Sequence, residues 1–203
     1  VHLMDQAIQR MVDIIRHLSS IATHEKHELK EIGLAELISG TVERFRSETK
    51  ATAPIEVLLN TPDGFRIKAN LEIMEGVLIR LLTNAVEAYD RHTPAAERRI
   101  EIVADLSGSD IIILVLDNGS GIDSRLEDTI FEPFITTKTS VGRGLGLSIA
   151  RHTLRSFKGD LEVRNRPEGG AVARVRYPLD PSYVETSDTG LPISTAATLG
   201  GAE

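Results

Sequence analysis

Apolar residues along the first stretch of the chain keep the spacing of a helix. Met4, Ile8, Met11, Ile15, Leu18 and Ala22 alternate steps of four and three, the seam of a heptad repeat. Leu3, Ala7, Ile14 and Ile21 widen that seam, so the pattern predicts one amphipathic helix over 1–22 with a stripe broad enough for a helical bundle. One helix cannot bury such a stripe, and a partner is implied. Thr23 to Glu31 is charged and reads as a linker. A second helix is predicted from Leu34 to Thr49, with Leu37, Ile38 and Val42 inward.

Further on, the period changes from helical to alternating and back. Ile55–Leu59 and Phe65–Lys68 read as strands joined through the turn residues Pro62, Asp63 and Gly64. A helix is predicted from Leu71 to Arg91. Arg99–Asp105 and Asp110–Leu116 form a hairpin around Ser107-Gly108-Ser109. A glycine-rich loop runs to Gly146, then a helix from Leu147 to Phe157. Strands Asp160–Arg166 and Ala171–Tyr177 follow, joined by Pro167-Glu168-Gly169-Gly170. After Pro181, Ser, Thr, Gly and Ala dominate, and 181–203 reads as a disordered tail. Hairpins interleaved with helices predict an α+β fold: a two-layer sandwich with a mixed sheet and helices on one face, preceded by one long helix.

Composition narrows this picture. The chain has 203 residues, 41% of them hydrophobic but only 4% aromatic, so an aliphatic core is expected. A formal charge of −7 argues against nucleic acid as a partner. There is no cysteine, which excludes disulfides and thiolate metal sites. No apolar run is long enough to span a bilayer and no signal peptide is visible, so no membrane contact is expected of this fragment. The start at Val1 leads to the expectation of a piece cut from a longer protein.

Four short motifs carry candidate chemistry. Asn84 stands in the helical run Leu78 to Ala85, where it reads either as a solvated helix position or as an oxygen ligand for Mg²⁺. Arg80, Asn84, Glu87 and Arg91 share one line of that helix and also read as an i,i+4 ion-pair ladder. Asp117-Asn118-Gly119-Ser120-Gly121 follows an apolar strand. It reads as a tight turn, or as a carboxylate placed to accept from the exocyclic amine of adenine, with Gly119 and Gly121 allowing close backbone approach. Gly142-Arg143-Gly144-Leu145-Gly146 leads into a helix, and bare N–H groups at a helix start hold anions. It is not a dinucleotide fingerprint, because position 147 is Leu and no strand precedes it. It is not a P-loop, because Gly146 is followed by Leu147-Ser148. Lys138 lies between the two glycine clusters. Phe131, Pro133 and Phe134 are expected to anchor that loop.

The order Asn84, Asp117-x-Gly119-x-Gly121, Phe131-Glu132-Pro133-Phe134 and Gly142-x-Gly144-Leu145-Gly146-Leu147 resembles the N, G1, F and G2 boxes of sensor histidine kinases. Their catalytic domain shares the Bergerat-type fold of gyrase, Hsp90 and MutL. The resemblance covers roughly Ile32 to Leu179, and Gly169-Gly170 resembles the family's final glycine motif. It implies that ATP and Mg²⁺ are cofactors, that Asn84 is the metal ligand and that Asp117 binds adenine. It further implies a lid at 123–146, with Lys138 and Arg143 as catalytic charges and Gly142, Gly144, Leu145 and Gly146 along the phosphates.

On that resemblance, 1–23 is the second helix of a dimerisation and phosphoacceptor hairpin, 24–33 a linker and 34–180 the catalytic domain. The partners implied are a response regulator receiver domain and a second copy joined through the hairpin, in the cytoplasm. The γ-phosphoryl would pass to a histidine on an upstream helix. The chain departs from the pattern at Arg80, where many members have Asn and the ATPases have a Glu base. A regulatory nucleotide-binding module and a same-fold ATPase stay open as alternatives. His24-Glu25 resembles the family's phosphoacceptor pair but stands too close to the catalytic domain. His17 lies off the apolar seam and is expected at the solvated surface, and His2, His27, His92 and His152 show no metal-ligand spacing.

Overall fold

The computed structural model describes residues 28–49, 54–89, 94–135 and 144–181. The seam helix over 1–22 and the tail after Pro181 lie outside the described residues. In chain order the elements are β1 (Lys30–Gly33), α1 (Leu34–Thr49), β2 (Ile55–Asn60), β3 (Arg66–Ala69) and α2 (Leu71–Glu87). Then come β4 (Ile100–Ser107), β5 (Asp110–Asp117), α3 (Gly146–Arg155), β6 (Asp160–Asn165) and β7 (Ala171–Pro178). Five strands form one mixed sheet in the order β2-β4-β5-β7-β6, and β1 pairs with β3 in a separate ribbon. The expected α+β sandwich is therefore present.

Alternation along the strands builds the core. On β4, Ile100, Ile102 and Ala104 point to one side, as do Ile111, Ile113 and Val115 on β5, and all six are buried. They meet Leu37, Ile38 and Phe45 of α1, Met74, Leu78 and Leu82 of α2, and Ala150 and Leu154 of α3 in one cluster. The core is mostly aliphatic, yet its largest fully buried side chains are Tyr177, Phe45 and Phe157. Few aromatics in a sequence do not keep those few out of the core. Burial pushes the Tyr177 phenol up to about 12, and its hydroxyl, still protonated, donates to the Lys68 carbonyl at 3.3 Å.

Two pairings differ from expectation. The turn at Pro62 is real, with Phe65 N donating to Pro62 O at 3.1 Å, but the strands on either side do not pair. β2 runs parallel to β4 from Ile55↔Ile100 to Asn60↔Asp105, while β3 pairs antiparallel with β1. A turn signal reports a reversal of direction, not the partner. β1 itself lies in the segment read as linker; its exposed charged residues give no alternation, and β3 holds it in place. The helix predicted to Arg91 ends at Glu87, where the Ala88 carbonyl accepts from Ser120 N at 2.9 Å instead of continuing the ladder.

α2 starts where Asn70 caps it, its side chain accepting from Ile73 N at 3.1 Å. Asn70→Ala should lower the unfolding free energy by about 1 kcal/mol, read from the urea midpoint. An unchanged midpoint would contradict the cap.

Candidate functional site

Asp117 is the last residue of β5 and falls on the same side as Ile111, Ile113 and Val115, so its carboxylate enters the helix layer rather than solvent. It is only 6% exposed. Two backbone N–H groups converge on its Oδ1, Gly119 at 2.9 Å and Ala171 at 3.2 Å.

The chain around Asp117 is wedged from both sides. A Cβ on Gly119 would stand 2.7 Å from Ala88 Cβ, so the turn can lie against the end of α2 only with glycine there. Gly170, at φ +79°, passes so close to the Asp117 carbonyl that any side chain would collide with it. Sequence reasoning assigned Gly119 to closeness with a base; in the fold its first duty is closeness to Ala88. Gly121 is at φ +70° and faces Asn165.

Two residues that sequence reasoning missed hold this turn from the β6–β7 hairpin. The Asn165 amide accepts from Ile122 N at 2.7 Å and donates to Ile122 O at 2.9 Å and to Glu127 at 3.0 Å. Arg166 donates to the Asp117 carbonyl at 3.0 Å, steadied by Glu168. Nothing in the local pattern marks either residue. Their signal is spatial, since they adjoin Asp117 only once β5 and β7 are paired. On the opposite side, Asn118 accepts from Arg99 N at 2.8 Å and donates to Glu97 O at 2.8 Å. Tyr89 adds its hydroxyl, 2.9 Å from Asn118 Oδ1. Burial raises the Tyr89 phenol above its ordinary value, which keeps it a donor.

Asn84 lies on α2 one turn before Ala88. The ideal Cβ position of Gly146, the first residue of α3, is 3.7 Å from Asn84 Oδ1 and 3.8 Å from Nδ2. Asn84 Nδ2 is buried and has no hydrogen-bond partner among the described residues. An orphaned amide costs roughly 1–3 kcal/mol unless a bound group satisfies it. α3 presents its N-terminus there with Leu145 as N-cap and no side-chain cap bond, so its first N–H groups and positive dipole end remain available to an anion. An amide carbonyl beside an anion site fits Mg²⁺, which takes few protein oxygens and completes its shell with phosphate and water. Among the described residues no cluster of three His, Cys, Asp or Glu offers an alternative metal site.

The segment between these poles closes through Phe134 N donating to Gly144 O at 3.0 Å. Phe131 packs on the core with the Arg151 guanidinium 4.3 Å from its ring centroid. Pro133 and Phe134, expected to anchor the loop, are exposed, Phe134 by 58%. Only Phe131 anchors. Of the predicted site residues, Asn84, Asp117, Gly119, Gly121, Gly144, Leu145 and Gly146 are placed by the fold, and Asn84 and Gly146 are brought together. Lys138, Gly142 and Arg143 lie outside the described residues, as do His24 and Arg91.

A mixed sheet under three helices, with a carboxylate at a strand end and an uncapped helix N-terminus facing a buried amide, defines a nucleotide-binding sandwich. The family model for histidine kinase-, DNA gyrase B- and HSP90-like ATPases matches residues 73–181, and the chain belongs to this family. It is similar to the C4-dicarboxylate transport sensor protein DctB of Pseudomonas aeruginosa, 33% identical over 82% of this chain and 27% of that protein. It is also similar to the nitrogen regulation protein NtrY of Azorhizobium caulinodans, 30% identical over 94% of this chain and 24% of that protein. The chain thus spans about a quarter of the length of these relatives. Among solved structures, the catalytic domain of histidine kinase ThkA matches with a TM-score of 0.64 and 30% identity, over 75% of this chain and 96% of that one. ThkA in complex with response regulator TrrA shares the fold at 24% identity, with a TM-score of 0.67 over 88% of this chain and 50% of that one.

Asn165→Ala removes all three side-chain bonds to Ile122 and Glu127. Amide exchange at Ile122 should accelerate while the β4–β5 ladder stays protected, with a stability loss on the order of 1 kcal/mol. Unchanged exchange at Ile122 would show that Asn165 holds nothing there.

Proposed function

We propose that the chain is the catalytic domain of a sensor histidine kinase, which binds Mg-ATP and passes the γ-phosphoryl group to a histidine on a separate helix. The observation that carries this reading is the pairing of the backbone-held Asp117 carboxylate with the uncapped start of α3 beside Asn84. A carboxylate suits the exocyclic amine of adenine, and a charge-assisted bond of that kind contributes roughly 1.5–3 kcal/mol. The N–H groups at Gly146 suit the phosphates, and the Asn84 amide would hold Mg²⁺, which supplies charge neutralisation on the transferring phosphate.

The residues themselves do positional work. Asp117 fixes the base, α3 fixes the phosphate chain, and Lys138, Gly142 and Arg143 are assigned to the phosphate side as further charge and N–H donors. Phosphoryl transfer needs little more, because its barrier falls mainly by alignment and charge stabilisation. The bond to the γ-phosphorus from the bridging oxygen breaks and one to an imidazole nitrogen forms. A neutral imidazole brings its own lone pair, so no carboxylate base is required, and Arg80 is not one. The curated relatives named as sensors, and ThkA solved with its response regulator, support a receiver-domain partner. We assign 1–23 to a dimerising hairpin and 34–180 to the catalytic domain on the seam and motif order, with β1 at 30–33, paired with β3, joining that domain and shortening the linker.

The chain alone should not label itself from γ-³²P-ATP. With the helical hairpin of its own parent protein it should label a histidine, giving an acid-labile, base-stable product. ATP binding with no transfer in the presence of that hairpin would contradict the kinase reading.

A further inference from the structure

Arg80 stands out by what surrounds it. At three and four residues along α2 its neighbours are Gly76, Val77, Thr83 and Asn84, and none is acidic. At Arg80 no rung of the predicted ladder forms, since Arg80 has no hydrogen bond or ion pair to any described residue, while the Glu87–Arg91 rung lies outside the described residues. By contrast Arg44, Arg125, Arg151, Arg155, Arg166 and Arg176 each pair with a carboxylate. Although Arg80 is exposed in surface area, enough protein crowds it to lower its pKa from the ordinary value by desolvation. It stays cationic, since an arginine does not deprotonate in a protein. Because Arg80 is exposed and its guanidinium donors are spent on no described residue, they are open to an anionic ligand.

α2 indicates what that is, because the helix acts as a ruler along the site. Its C-terminal end at Ala88 touches Gly119 and Ser120, next to Asp117. One turn back, about 6 Å along the axis, Asn84 meets Gly146 and the anion-binding start of α3. Arg80 lies one turn further on the same line, about 12 Å from Ala88. Base end, phosphate end and Arg80 follow one another in the order of a nucleotide's own parts.

We propose that Arg80 binds the terminal phosphoryl group of the nucleotide and so discriminates triphosphate from diphosphate in this site. This rests on the reading that the site holds ATP. The planar fork of arginine matches two phosphate oxygens, which asparagine or lysine at the same position cannot do. A diphosphate, anchored by its base at Asp117 and its phosphates at Gly146, would end short of Arg80.

Calorimetry with the β,γ-imido analogue of ATP and with ADP, at fixed free Mg²⁺, tests this on wild type, Arg80→Asn and Arg80→Lys. Arg80→Asn should lose triphosphate affinity by about tenfold, the weight of one charge-assisted hydrogen bond, with ADP affinity unchanged. Arg80→Lys should fall between. Circular dichroism on each variant separates a binding defect from a folding one. Equal losses for both nucleotides, or no change for either, would overturn the role of Arg80 while leaving ATP binding in place. A wild-type chain that binds neither nucleotide would remove the ATP reading and this role together.

Discussion

Two backbone N–H groups on one carboxylate oxygen organise this molecule's site. The Gly119 amide comes from the turn that leaves β5, and the Ala171 amide comes from the start of β7. Asp117 can receive both only if β5 and β7 pair in their observed register, with Leu116 opposite Val172. A one-residue slip would turn every side chain on the strand to the other face and take the carboxylate out of the helix layer. Sheet register and site geometry are thus one constraint. Gly119 and Gly170 are the positions where that constraint admits no side chain, one against Ala88 and the other against the Asp117 backbone.

How much of this could be read from the sequence follows from the range of each interaction. α1 is found at its predicted bounds, and β4 and β5 within two residues of theirs, because their patterns are local and long enough to be periodic. Asp117, Asn84 and the Gly144–Gly146 run were legible as motifs, since short-range rules govern turns and helix starts. What failed was partnership. β2 finds β4 across a helix and a second strand, and β1 finds β3 across α1 and β2. Asn165 and Arg166 matter only because β6 and β7 deliver them to the far side of the Asp117 turn. Phe134 looks like an anchor by its hydrophobicity, yet it faces solvent while the half-buried Phe131 packs against the core under Arg151.

α2 connects these observations to function. Its inward face, with Met74, Leu78 and Leu82, is fixed to the sheet by burial. Rigid attachment lets its other positions serve as fixed points at Ala88, Asn84 and Arg80, one turn apart. The orphaned Asn84 amide sits at the middle point, within contact of Gly146. Unsatisfied donors at a helix junction are costly in a finished fold, and they are understandable where a ligand completes the bonding. Arg80 extends the same logic one turn outward. A base is not needed there if the acceptor is an imidazole, which leaves that position open for a cation.

Asp117 has the proposed role of reading the amine of adenine. The most direct measurement compares the affinity of the chain for ATP with that for purine riboside triphosphate, which has the same ring and phosphates but lacks the six-amino group. ATP should bind more tightly by at least about tenfold, the share of a charge-assisted hydrogen bond, and the gap should close in Asp117→Asn. Equal affinity of the wild-type chain for the two nucleotides would contradict it.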